Sequence, residues 1–365
     1  TFTNIEGVGW LEGSEFDDFL ADAGTVSFAP IFGRGGNDHI VARSGATGSL
    51  FGGDGNDLID ARVRLSGAIF GGNGDDTILG GYRSVGEDGN DTITGGTILV
   101  GGRGNDTLDG GDGYDYAEYS GNYADYTITY DSGTDSYLVV DGVANRDGQD
   151  TVKRIEALRF ADGLAAPNAG ADNVLQGTFQ YETLIGGPGS DTMSGGPGDD
   201  VYLVDRSGDL VLEAAGDGTD EVRVGFATAG TYTLTANVEN GIIADATDGV
   251  NLVGNALANI LTGNAAGNVL EGAAGNDTLR GMGGTDVIDG GADADTVVLL
   301  GARSSYSITR PNGADTVLTR SGETVTVRNV EFLQFTDGVR TIGGLDSTSG
   351  VDVLNGTPGD DTLDG

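Results

Sequence analysis

The chain has 365 residues, with 57 acidic against 18 basic side chains, a formal net charge of −39, 68 glycines and no cysteine. A charge this negative excludes nucleic acid and anionic membrane as partners, since both are polyanions. Without cysteine there are no disulfides or thiolate metal sites, which leaves bound cations as the staple for so glycine-rich a chain.

Residues 1–118 are organised by a nine-residue phrase, Gly-Gly-x-Gly-x-Asp-x-apolar-x. It is intact from Gly52 to Asp60 and again from Gly71, Gly101 and Gly110, with variants from Gly33 and Gly86. Glycine allows positive φ in a tight turn and leaves carbonyls open to a cation. The sixth-position Asp offers the hard oxygen that calcium prefers. The apolar eighth residue points inward, as strand geometry with period two requires. Asp18, Asp38, Asp57, Asp76, Asp91 and Asp106 are spaced by 20, 19, 19, 15 and 15 residues. That spacing predicts coils with one Asp turn each, and hence a single file of cations on one edge. Ile31, Leu50, Ile69 and Leu99 are expected to face Ile40, Ile59, Ile78 and Leu108 across a narrow core. Arg43 and Arg62 put positive charge on the opposite edge, where a second file would lie. Only at Gly110 does a second phrase follow directly, which puts Asp115 on that other edge. Phe32, Phe51 and Phe70 recur outward of the core and predict a ladder of stacked rings. It is expected either to be covered by a neighbouring segment or to serve as a contact surface.

Residues 119–163 lose the phrase and read as a small β module, with Tyr126–Thr129, Tyr137–Val140 and Arg154–Phe160 as strands. A second β-roll follows over 164–298, with an irregular middle at about 203–250. It opens on a degenerate turn with Glu182, then Asp191 and Asp200, and resumes with Asn259, Asn268, Asp277, Asp286 and Asp295 every nine residues. Nine-residue spacing predicts cations on both edges there, weakly held or missing at the two Asn turns, which keep an oxygen but lose the charge. Residues 299–343 repeat the module, since Tyr306–Thr309 and Asn329–Phe335 match its beginning and end. Asn4-Ile5-Glu6 resembles the tail of a further copy, and residues 344–365 open a third roll at Asp352 and Asp361. The sequence is expected to be a piece of a longer polypeptide. No stretch free of glycine has helical periodicity, so the fold class is all-β: parallel β-roll or β-helix segments alternating with small β modules.

Over essentially its whole length the sequence resembles the RTX family of calcium-binding repeats, on the phrase and on its spacing. The resemblance implies that calcium sits between stacked turns, held by the sixth-position Asp and by carbonyls at the second and fourth positions. Carried onto this sequence, the metal ligands would be Asp18, Gly36, Asp38, Gly53, Gly55, Asp57, Gly72, Gly74, Asp76, Gly89, Asp91, Gly102, Gly104 and Asp106 in the first row. Beyond it they would be Gly111, Gly113, Asp115, Gly187, Gly189, Asp191, Gly196, Gly198, Asp200, Gly275, Asp277, Gly284, Asp286, Asp295, Gly359 and Asp361. On the order of ten Ca2+ ions is the expected complement. Arg34 and Glu87 replace the second glycine, which keeps the carbonyl and puts the turn geometry in question. The alternative for all these turns is a metal-free run of Asx-turns, against which the stacked like charges weigh.

Catalysis finds no support in the motifs. His39 is the sole histidine and is expected to face solvent. Neither a His-Glu-x-x-His motif nor a Gly-x-Ser-x-Gly elbow occurs. The expected role is a non-enzymatic, calcium-binding structural segment of a secreted or cell-surface bacterial protein of surface-layer, adhesin or matrix type. The resemblance implies one-step secretion without a cleaved N-terminal signal, and folding on extracellular calcium. The alternative is an accessory region of a secreted exoenzyme whose catalytic domain lies elsewhere. Expected partners are calcium ions, with self-association, surface components or polysaccharide beside them, no nucleic acid and no direct membrane insertion.

Overall fold

The computed structural model describes residues 2–3, 10–21, 30–42, 48–62, 67–167, 170–178, 181–244, 249–311 and 315–342. It divides into two units, Thr1–Ala169 and Gly170–Gly365. Among the described residues the only helical turns are the 3-10 segments Tyr123–Asp125 and Arg303–Ser305, and no helix is long and apolar enough to cross a membrane.

The first unit is a parallel solenoid in which each coil contributes one short strand to each of two sheets. One sheet stacks Phe19–Ala21, His39–Val41, Leu58–Ala61, Thr77–Gly80, Thr92–Thr94 and Thr107–Asp109. The other stacks Leu11–Glu12, Ile31–Gly35, Leu50–Asp54, Ala68–Asn73, Arg83–Asp88, Ile98–Arg103 and Tyr116–Glu118. Register is fixed by the period-two pattern, because a one-residue slip would turn each core residue to solvent. Leu20, Ile40, Ile59, Ile78, Ile93 and Leu108 are fully buried in one column, and Leu50, Ile69 and Leu99 in the facing one. Ser84 occupies the inward place between Ile69 and Leu99. Its buried hydroxyl is satisfied by donating to the Gly80 carbonyl at 2.7 Å. Outside the core, the Phe32, Phe51 and Phe70 rings stack with centroids 4.8 and 5.0 Å apart and stay half-buried.

Residues 119–163 are built onto this solenoid. Gln149–Lys153 pairs parallel with Thr107–Asp109, and Ala157–Phe160 pairs parallel with Tyr116–Glu118. Together these two strands form one more coil, onto which the antiparallel strands Tyr126–Asp131 and Ser136–Asp141 are added.

The second unit follows the same plan. Thr183–Ile185, Val201–Val204, Glu221–Val224, Asn240–Ile243, Ile260–Thr262, Thr278–Arg280 and Thr296–Val298 stack in parallel. The described part of the stretch at 203–250, expected to be irregular, therefore keeps the coil, because Val211, Val222 and Ile243 still supply inward apolar residues where the glycines are gone. The module repeat recurs here. Glu323–Arg328 and Phe332–Phe335 add a coil, and Thr316–Arg320 with Ser307–Thr309 form the antiparallel addition. Tyr123 donates its amide to Asp162 at 2.7 Å, and Arg303 donates its amide to Asp337 at 2.9 Å, so the two modules share their closing contact.

Candidate metal centres

In the first unit one Asp per coil stands where the turn enters the strand, and these residues are chained together. The amide of Asp18 donates to Oδ1 of Asp38 at 2.8 Å. Asp38 donates likewise to Asp57 (2.7 Å), Asp57 to Asp76 (2.8 Å), Asp76 to Asp91 (2.8 Å) and Asp91 to Asp106 (2.7 Å). Asp106 continues the chain to Asp150 at 2.9 Å.

From Asp38 to Asp150 each carboxylate has its first oxygen engaged, and for Asp38, Asp57, Asp76, Asp91 and Asp106 the second, Oδ2, is buried without a hydrogen-bond donor. An ionised oxygen cannot stay so cheaply. Burial, with repulsion from the neighbouring Asp added, pushes Asp57 to about 6, Asp76 to about 7 and Asp91 to about 8. The orphaned oxygens open on a cradle. A Cβ built on Gly52 would fall well inside 3.0 Å of both Asp57 Oδ2 and the Gly71 carbonyl oxygen, and Gly33, Gly71 and Gly86 repeat the pattern one coil apart. Carbonyls from the second and fourth positions also point along the stack. The Arg34 and Gly53 oxygens approach the second glycine of the next coil, and Gly36, Gly55, Gly74 and Gly89 approach its fourth. Arg34 and Glu87 hold φ of 82° and 83°, the same side as Gly53 and Gly72, so the turn survives both replacements. Buried carboxylate and carbonyl oxygens converging without a donor are the hard donor set suited to calcium, and they fit such an ion.

Not every expected residue joins this arrangement. Asp18 is half-buried, and its Oδ2 accepts the Ser14 amide and hydroxyl at 2.7 and 2.8 Å, which hold its carboxyl below the usual range. Asp115 lies off the file, receives no Asp amide, and donates its own to Glu156 at 2.8 Å. Its Oδ2 is orphaned too. A Cβ on Gly111 or Gly113 would meet no carbonyl oxygen of a neighbouring coil within 4 Å. Arg62 pairs with Asp60 at 2.5 Å, while Arg43, Gly359 and Asp361 lie outside the described residues, as do Asp352 and Asn4-Ile5-Glu6. His39 is only half-exposed, its ring edge-on to Phe19 at 5.0 Å.

The second unit has two files. Glu182 donates its amide to Asp200 (2.8 Å), Asp200 to Asp220 (2.9 Å), and Asp220 to Glu239 (2.8 Å). Further along, Asn259 donates to Asp277 (2.7 Å), Asp277 to Asp295 (2.8 Å), and Asp295 to Glu331 (2.8 Å). Across the coil, Asn173 donates to Asp191 and Asp191 to Asp209, and later Asn268 to Asp286. Asp191, Asp200, Asp277, Asp286 and Asp295 carry orphaned Oδ2 atoms. The carbonyls of Gly198, Leu257 and Ala266 approach the next coil, whereas a Cβ on Gly187 would meet nothing within 4 Å and one on Gly196 would meet the Thr178 oxygen at 2.8 Å. For Gly189, Gly275 and Gly284 the added Cβ would instead strike the oxygens of Ala171, Leu257 and Ala266 in the coil before. The Asn turns satisfy themselves. Asn259 Nδ2 donates to the Val238 and Glu239 carbonyls at 3.0 and 3.1 Å, and Asn268 Nδ2 to Val250 at 2.8 Å.

Sequence reasoning missed Asp150, Glu156, Asp220, Glu239 and Glu331. For all of these but Glu239, which precedes Gly241, the signal was an acid two residues before a buried apolar residue, as in Asp150-Thr151-Val152 and Asp220-Glu221-Val222, without the glycines.

The profile of the RTX calcium-binding nonapeptide repeat (4 copies) matches residues 31–47, 49–62, 68–81, 84–97, 98–117, 169–209, 254–297 and 346–365, half of the chain. The chain belongs to the RTX family. No curated protein matches it. Among solved structures, the RTX chain is similar to extracellular lipase LipA from Serratia marcescens, at 17% identity and a TM-score of 0.17. That match covers 80% of this chain and 38% of the lipase chain, a likeness too loose to carry argument. The RTX repeats and the β-solenoid they form are structural features, and the phrase they share is a calcium-binding one.

Proposed function

We propose that this chain is a calcium-dependent structural segment of a secreted or cell-surface protein, of surface-layer, adhesin or matrix type, that folds on meeting extracellular calcium. The file of buried, donorless Oδ2 atoms at Asp38, Asp57, Asp76, Asp91 and Asp106 carries the reading. Those carboxylates, with the carbonyls of Arg34, Gly36, Gly53 and Gly55 and their equivalents, would hold the ions of the first unit. Asp191, Asp200, Asp277, Asp286 and Asp295 would hold those of the second. Bound calcium would supply the positive charge that the coils lack, against a net −39. The chain's own residues do the rest: the Asp amides set register, the Ile and Leu columns exclude water, and the glycines open the cradles.

A calcium titration of the chelator-treated chain followed by circular dichroism tests this. The β signal is expected to be weak before calcium and to rise cooperatively with it, because ion binding and ordering are one event. Magnesium is expected to substitute badly, since it demands octahedral geometry and sheds water reluctantly. A full β signal in chelator would overturn the reading.

A further inference from the structure

One coil of the second unit places a glutamate where the two coils before it have Gly195 and Gly177. Thr192–Ser194 pairs with Leu210–Val211 in the register Met193 to Val211, and the Leu212 amide donates to the Met193 carbonyl at 2.8 Å. Two residues beyond that pair, Glu213 stands in register with Gly195, the first glycine of its phrase. The Tyr202 hydroxyl bonds the Glu213 carboxylate and accepts the Gly195 amide at 2.7 Å. A Cβ on Gly195 would lie well inside 3.0 Å of both Tyr202 Oη and Asp200 Oδ2, so the orphaned Asp200 oxygen is aimed at the same space.

The carboxylates of Asp200, Glu213 and Asp220 each bring an oxygen within 4.8 Å of the others. Asp200 and Asp220 are 1% exposed, and both Asp200 Oδ2 and Glu213 Oε2 are buried with no donor. Among the described residues no ion pair reaches any of the three. Like charges this close and this dry need a cation or a proton.

We propose that Asp200, Glu213 and Asp220 form a divalent-cation site of calcium type, in which a side chain from outside the repeat phrase replaces the carbonyl oxygens of a glycine turn. Glu213 and Asp220 both lie outside the matched repeat segments, which end at 209 and resume at 254. Tyr202 is a positioning residue that fixes Glu213 over the space. The site rests on the calcium reading of the files, because Asp200 is a member of one.

The test counts calcium per chain by plasma mass spectrometry after desalting the whole 365-residue chain from calcium. Glu213→Gln keeps the size of the side chain and an acceptor for Tyr202. It is expected to lose one ion per chain while the β signal persists, and exposed Glu271→Gln is expected to lose none. Equal counts for wild type and Glu213→Gln would overturn the site and leave Glu213 a protonated partner of Tyr202. No ions on wild type would instead overturn the calcium reading itself. Should Glu213→Gln fail to fold, an anomalous difference map of wild-type crystals grown in calcium decides. A peak bounded by all three carboxylates supports the site, and a peak that leaves out Glu213, or no peak, overturns it.

Discussion

The amide of Asp57 donates to Oδ1 of Asp76 in the following coil at 2.8 Å, while Oδ2 of that same Asp76 meets no donor. One carboxylate thus does two jobs, holding the coil before it with one oxygen and offering the other to a cation. Asp57→Ala removes both at an interior position. It is expected to cost about 3 kcal/mol in calcium, since a buried hydrogen bond to a charged group is worth roughly 1.5–3 kcal/mol before any ion is lost. Asp18→Ala, at a half-buried position whose Oδ2 is served by Ser14, is expected to cost about 1 kcal/mol. Denaturant melts at fixed calcium compare the two. Equal losses would contradict a stack whose stability is a sum of nearest-neighbour terms.

Proton and calcium compete for the same oxygens. Burial raises Asp57, Asp76 and Asp91 from 3.8 to about 6, 7 and 8 in the folded chain. The calcium-free fold therefore binds protons more tightly than the unfolded chain. Its stability is greatest below pH 4 and is lost as pH rises through 6 to 8. With calcium the slope reverses, because each ion must displace those protons. The calcium midpoint from circular dichroism is expected to rise at least tenfold, roughly, between pH 8 and pH 5. A midpoint independent of pH would show that the carboxylates are not ligands.

Asn259→Asp restores the missing charge in its file. In the wild type the amide Nδ2 occupies the Val238 and Glu239 carbonyls, which are then unavailable to a cation. The variant is expected to bind one further calcium and to melt higher in calcium. A melting temperature that falls in calcium would show that this turn cannot accept an ion.

Ala273 takes the second position of its phrase at φ 78°, a conformation that costs an L-residue roughly 1–2 kcal/mol. Ala273→Gly removes that strain at some cost in unfolded-chain entropy, so a net gain of about 0.5 kcal/mol is expected. A loss of stability in calcium would mean that the methyl group packs usefully.

The repeat phrase made the coils legible, because glycine spacing and the apolar eighth residue set strand register directly. Asp57, Asp76 and Asp91 could be placed in one file from their spacing alone. The successive coils that pair Val222 with Gly241 were not legible. They keep the solenoid on inward apolar residues, and at Gly241 on the Leu252 and Leu234 side chains that fill the space, without a single intact phrase. Asp150 and Glu331 escaped for a related reason. They end their files inside modules that lack the repeat phrase, and only three-dimensional stacking on Asp106 and Asp295 shows them as members.

The amide-to-carboxylate chain runs one way, from each coil to the one after it. Removing a coil on the N-terminal side takes the donor from an Asp Oδ1, and removing one on the C-terminal side takes the acceptor from an Asp amide. The two ends of the stack are therefore chemically distinct, one presenting carboxylate oxygens and the other N–H groups, and Asp150 and Glu331 accept the last amide of their files. A coil added at the leading edge needs only a backbone amide to join the chain, whereas one added at the trailing edge must bring a side-chain acceptor.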